Sequence, residues 1–302
     1  MTHDHTRGAA AVRDLGSAFK WAVILNLGYV LIEAAAGFVV GSLALLADAA
    51  HNLTDVAGLL IAWGAAVAAR KPPTDRFTYG LGRSTILAAL ANAIAILVGV
   101  GAVIWESIHR FSDPVAVPAL PVLVVAVVGI AINAGTALLF RRDRHDDLNA
   151  EGAFLHMAAD AAVSAGVVLS AGAMLATGWL WLDPLAAILV SFVIAWTAFG
   201  LLKASIGLSM DGVPRSVDKQ AVDEWLRSRP GVTTVHDLHI WSLSTTSTAL
   251  TAHLVMPSGH PGDVFLDQLA DEIEDHFGIA HATLQIETGG NAECRLAQAG
   301  VI

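Results

Sequence analysis

The chain has 302 residues, of which 55% are hydrophobic and only 15% charged, a balance well outside that of a soluble domain. Its formal net charge is −10 at pH 7, and the clustered Lys and Arg that grip a phosphate backbone are missing. Composition thus excludes a nucleic-acid partner and points to a lipid-exposed protein; the single cysteine, Cys294, excludes an intramolecular disulfide and a clustered thiolate site.

The first residues, MTHDHTRGAAAVRDLGS, are polar and lack the apolar core and cleavage site of a secretory signal, so 1–16 read as a cytosolic tail. His3 and His5 could pass metal to a vestibule, but a frayed terminus is the plainer reading. Crossing hydrocarbon about 30 Å thick takes roughly 20 apolar residues. Six stretches qualify, at 17–40, 42–69, 84–107, 116–140, 150–177 and 183–205, giving an α-helical membrane domain of six transmembrane helices over 17–209. Gly41 and Ser42 separate the first two, with Ser42 available as a helix cap, so these spans form a tight hairpin.

Basic residues set the orientation. Arg7, Arg13 and Lys20 precede the first span, Arg70, Lys71, Arg76 and Arg83 surround the second loop, and Arg141, Arg142 and Arg144 fill the fourth. The other side has Arg110 alone, so both termini are expected in the cytosol, in a bacterial-type plasma (inner) membrane. From about Met210 the sequence takes on soluble character, and 210–302 form a second, cytosolic domain. Ser216 can cap a helix ending near Ser228; strand-like runs follow at 232–242 and 249–256, then an amphipathic helix at 261–277 and a strand at 282–287. The order αββαβ makes a compact α+β layer.

Two spans carry chemistry. His51 and Asp55 lie four apart in the second, and His156 and Asp160 repeat that spacing in the fifth. Residues at i and i+4 share a helical face, so each helix offers an imidazole beside a carboxylate. Two such faces together would supply two nitrogens and two oxygens, enough for tetrahedral Zn²⁺, and the two carboxylates neutralise the dication. Any one of these residues could be an interhelical hydrogen-bonding group. An ionisable residue in a span costs about 2.5–3.5 kcal/mol on insertion scales, however, and matching pairs in separate helices are hard to explain as packing. Asp48 is an acceptor orienting an imidazole, an entrance charge, or an interfacial helix-end Asp; Asn26, Glu33 and Asn52 read as interhelical polar contacts. Counting from the helix ends puts the second-span pair nearer the outside and the fifth-span pair nearer the cytosol, so a tilted or recessed fifth helix, or a water-filled vestibule, must reconcile their depths.

Six spans, LADAAHNLTD in the second, FLHMAAD in the fifth, and VHDLHIWSL and HATLQIE in the tail together resemble the cation diffusion facilitator family of zinc transporters, over nearly the whole chain. The resemblance implies a homodimer, a ferredoxin-like cytosolic domain that binds further metal, and metal export coupled to proton entry. It places His51, Asp55, His156 and Asp160 on the transport-site positions, and their all-His/Asp composition implies a preference for Zn²⁺, which is substrate and regulatory ligand rather than cofactor. Among the tail residues His236, His253 and Glu287 match regulatory metal positions best; His239 and His281 are plausible additions, and Cys294 could add a soft ligand if the tail folds back. His260 and His276 read as loop and helix-end residues. This chain departs from many relatives in having no His in RKPPTDRFTYGLGR and a short fourth loop, RRDRHDDLN, with only His145.

In the expected mechanism Zn²⁺ displaces protons from His51 and His156, the helices rock outward, and protonation releases the ion, because imidazole titrates near pH 6.5. The alternatives are an exporter of Cd²⁺, Co²⁺, Mn²⁺ or Fe²⁺, a membrane metallohydrolase, and a non-transporting metal sensor. A hydrolase needs an open coordination position and a poised base, and four protein ligands leave no vacancy.

Overall fold

A computed structural model describes residues 6–40, 43–112, 119–179, 181–289 and 294. The chain divides into two compact units, Met1–Ser205 and Ile206–Ile302. The first contains long helices α1 (Thr6–Val40), α2 (Leu43–Ala69), α3 (Arg83–Ser112), α4 (Ala119–Phe140) and α5 (Leu148–Thr177), together with most of α6 (Leu182–Ser209). Helix α1 starts eleven residues before the expected span, because Ala9, Ala10 and Ala11 favour continuing the helix through what reads as a polar tail. His3 and His5 lie outside the described residues, as does the expected cap at Ser42.

Among the described residues, Ser17–Ala35, Arg83–Arg110 and Ser191–Ser209 are long and apolar enough to cross a membrane by length and composition, with shorter apolar helical stretches at Asp55–Ala69 and Val127–Phe140. Large apolar side chains face outward, among them Phe38 at 82% and Trp196 at 84% exposure. Such an exterior suits lipid rather than water. Inside, Phe19 and Val30 of α1, Val56 and Leu59 of α2, Phe140 of α4 and Met157 of α5 form one buried cluster. A second joins Ile96 of α3, Ala159 of α5 and Ile194 of α6.

Polar contacts tie these helices across their faces, as the sequence led one to expect. Asn52 of α2 donates to Glu33 Oε2 of α1 at 2.8 Å, and Tyr29 donates to Glu33 Oε1 at 3.1 Å. Asn26 donates to the Ala22 carbonyl and to Thr136 Oγ1 of α4.

The second unit follows the order α7 (Lys219–Arg227), β1 (Thr234–Ser242), β2 (Thr248–Val255), α8 (Asp263–Phe277), β3 (His281–Glu287). The cap of α7 is Asp218 rather than Ser216: its carboxylate accepts from the Gln220 and Ala221 amides, and a carboxylate also suits the positive helix end. Strand β2 is central, antiparallel to β1 and parallel to β3. A parallel neighbour needs a crossover, which α8 provides; Gly278 ends that helix in the left-handed region at φ 67°. Val222 and Leu226 of α7 and Leu269 and Ile273 of α8 form one core with Val235, Leu238, Ile240, Leu250 and Leu254 of the sheet.

One irregularity sets what the other face of the sheet presents. His236 pairs with His253, but His239 pairs with Thr251, so β1 carries one extra residue between them. Asp237, within this bulge, has φ 51°. The extra residue shifts the alternation, and Leu238, Ile240 and Ser242 then share the buried face with Val235 while His236 and His239 share the opposite one.

Candidate metal centres

The helical unit brings together Asp55 of α2 and His156 and Asp160 of α5. His156 Nε2 lies 2.9 Å from Asp55 Oδ1 and 3.7 Å from Asp160 Oδ2. One ligand atom from each of the three falls within 4.8 Å of the others, and Asp55 is buried at 7% exposure. Two ligands of one tetrahedral zinc ion stand about 3.3–3.6 Å apart, so a single ion can span this group. His51 occupies the position one turn before Asp55 in α2. Its side chain, like that of Asp48, lies outside the described residues.

The start of α5 bears on how the two pairs meet. Asp55 is fourteen residues from the α2 terminus at Ala69, while His156 is only eight from the α5 start at Leu148. At 1.5 Å per residue that is a mismatch of about 9 Å. The start of α5 is packed against its neighbours: Asp147, Asn149 and Ala150 are all buried. Asp147 Oδ1 accepts from the Asn149 and Ala150 amides, and Asn149 Nδ2 donates to the Thr85 carbonyl at the start of α3. The helix start is thus capped and tied to α3, and His156 meets Asp55 two turns further along. Gly152, one turn before His156, permits close packing here; a Cβ on it would stand 2.7 Å from Asn92 Nδ2 of α3.

The sheet carries the second group. His236 Nε2 lies 3.0 Å from Glu287 Oε2, and His253 Nδ1 lies 2.9 Å from Glu287 Oε1. Cys294 Sγ is 3.7 Å from His253 Nδ1, and ligand atoms of all four residues fall within 4.8 Å of one another. Burial pushes the Glu287 carboxyl up, but hydrogen bonds with Cys294 and His236 and the nearby His236 and His253 charges outweigh it and hold the group below the usual carboxylate range.

Of the further tail candidates, His239 and His281 stand apart from this group. His239 is exposed and its Nε2 contacts Asp237 Oδ1 at 2.9 Å. His281 opens β3, six residues before Glu287, a separation of about 20 Å along an extended strand. His260 Nδ1 accepts from the Gly262 amide, and His276 Nδ1 contacts the Glu272 carbonyl, local roles in keeping with loop and helix-end positions. Asp237 is the residue that sequence reasoning missed. Its second oxygen sits 3.5 Å from His253 Nε2, on the far side of the ring from Glu287. Its place between two histidines in VHDLHIW was the available signal.

The family model described as the cation efflux transmembrane domain matches residues 20–208, and that for the cation efflux protein cytoplasmic domain, a dimerisation module, matches 214–289. The chain is 37% identical to the zinc transporter ZitB of Escherichia coli over 291 residues, covering 95% of this chain and 93% of that one. It is 35% identical to the cadmium, cobalt and zinc/H(+)-K(+) antiporter of Bacillus subtilis, covering 95% and 92%, and 34% identical to the metal cation efflux system protein CzcD of Cupriavidus metallidurans, covering 99% and 92%. Transporters, not enzymes, are what the chain resembles throughout, and it is an integral membrane protein of the cation diffusion facilitator family.

Proposed function

We propose that this protein exports Zn²⁺ from the cytosol in exchange for protons, through a tetrahedral site of His51, Asp55, His156 and Asp160 between α2 and α5. The observation that carries this reading is the convergence of Asp55, His156 and Asp160 on one point among helices of a cation efflux domain. The six helices α1 to α6 would each cross the bilayer, leaving both termini in the cytosol, and two chains would pair through their cytoplasmic domains. His236, His253 and Glu287 would form a regulatory zinc site there, with a ferredoxin-like arrangement of the αββαβ unit.

Chemistry favours such a cycle. Two carboxylates cancel the charge of a divalent ion that hydrocarbon would otherwise reject. Neutral imidazoles bind metal and protonated ones do not, so zinc and protons compete for the same lone pairs. Alternating access around a site between helices then couples opposite fluxes. Zinc uptake into inverted membrane vesicles under an imposed proton gradient tests the reading. Uptake should be lost in His156→Ala and Asp160→Ala; undiminished uptake in Asp160→Ala would remove the site assignment. The named substrates of the Bacillus relative make Cd²⁺ and Co²⁺ the first competitors to test.

A further inference from the structure

The cluster on the sheet contains a sulfur atom, and its geometry is that of a ligand. Around tetrahedral zinc, bonds of about 2.0–2.1 Å to imidazole nitrogen and about 2.3 Å to thiolate put the two donors about 3.6 Å apart. Cys294 Sγ and His253 Nδ1 are 3.7 Å apart. A weak thiol hydrogen bond could account for that one distance, but not for the presence of His236 and Glu287 donors within the same 4.8 Å. Charge argues the same way. Two neutral imidazoles and one carboxylate leave a divalent ion with one uncompensated charge at a mostly shielded site, where His236 and His253 side chains are 12% and 11% exposed. A thiolate cancels it.

We propose that Cys294 is the fourth ligand of this cluster, closing a mononuclear site of two nitrogens, one oxygen and one sulfur within a single subunit, selective for Zn²⁺ and its softer congener Cd²⁺. The inference rests on reading His236, His253 and Glu287 as a metal site. As the sulfur–metal bond forms, the S–H proton leaves to solvent, since a coordinated thiol is deprotonated outright. Soft sulfur favours Cd²⁺ and Zn²⁺ over hard ions. The site also differs in kind from the His/Asp group of the helical unit, which contains no sulfur donor.

Cys294 is the only cysteine in the chain, so one spectrum of the unmodified protein is decisive. Full-length protein in nanodiscs, stripped of metal, is titrated with Co²⁺. A near-ultraviolet sulfur-to-cobalt charge-transfer band should grow in, reach the intensity of about one sulfur-bound ion per chain and vanish in Cys294→Ser, while Cd²⁺ affinity at this site falls about tenfold or more. Binding that depends on His236 but gives no charge-transfer band overturns the thiolate ligand and leaves the three-residue site standing. If Asp160→Ala protein, with its transport site disabled, binds no cobalt at all, the reading beneath the inference falls as well.

Discussion

Asp55 carries a burden that its neighbours share only in part. It is the most buried of the three clustered side chains in the helical unit, and its Oδ1 stands 2.9 Å from His156 Nε2. Asp55→Asn keeps the shape and removes the charge, so a bound dication would face one carboxylate instead of two. Removing one partner of a buried charged set costs about 3–5 kcal/mol, which at 1.4 kcal/mol per tenfold is a loss of about a hundredfold or more in zinc affinity. Equilibrium binding on protein with the cytosolic site disabled by His236→Ala should show it; a loss under tenfold would mean that Asp55 is a structural acceptor. Asp237 presents the same question in the sheet. Its φ of 51° is tolerated by Asn as well as Asp, so Asp237→Asn should fold normally. What it loses is the negative charge between His239 and the far nitrogen of His253. A carboxylate there holds the imidazole so that Nδ1 faces Glu287 with its lone pair available, and losing such a partner lowers metal affinity about 10–100-fold. Zinc titration of Asp237→Asn in an Asp160→Ala background measures the drop, and unchanged affinity would assign Asp237 to the bulge alone.

At the scale of elements, the approach of α5 to α3 positions the clustered side chains, while the tie between α1 and α2 stabilises the helices around them. Gly152→Val adds a branched side chain where even a Cβ would stand 2.7 Å from Asn92 Nδ2 and 3.3 Å from Leu201 Cδ2. Overpacking of this kind costs about 1–3 kcal/mol, against the gain of up to about 1 kcal/mol from removing a helical glycine. The clash wins, and α5 is pushed back with His156 one turn further on. Thermal unfolding in detergent should fall, and zinc flux should fall with it. Glu33→Ala is expected to separate these effects: it removes the acceptor shared by Tyr29 and Asn52 and costs about 1–3 kcal/mol, without touching a proposed ligand. Stability should drop while the protein that remains folded still binds zinc. Much of this was legible in the sequence, because i, i+4 spacing fixes which residues share a helical face and because strand-like runs at 232–242 and 249–256 lie within two residues of the observed strands at 234–242 and 248–255. What was not legible depends on tertiary burial. The packed start of α5 needs Asp147 and Asn149 to be covered, the shift at Asp237 needs β2 beside it, and Asp218 outcompetes Ser216 as a cap only once the helix start is fixed. Nor does a string of letters say that Cys294 returns to a strand forty-one residues earlier.

Over the whole molecule, two units carry two clusters with different donors, carboxylate-rich in Met1–Ser205 and sulfur-containing in Ile206–Ile302. A transport ligand and a regulatory ligand fail in different ways. Loss of a ligand on the route removes flux at every zinc concentration, because no conformational state then holds the ion. Loss of a ligand at a regulatory site removes only the preference of zinc for one state over another, and such couplings are usually about 1–3 kcal/mol, or about 5–150-fold. His236→Ala should therefore move the zinc concentration for half-maximal flux upward by about fivefold or more while the maximal rate is retained. Asp160→Ala should abolish flux at any concentration. Vesicle uptake measured across a wide zinc range distinguishes the two patterns, since a shifted curve and a collapsed one differ even when a single concentration gives the same reduced rate. If His236→Ala collapses the maximum instead of shifting the curve, the cytosolic cluster lies on the path of the ion, and its role is delivery rather than control.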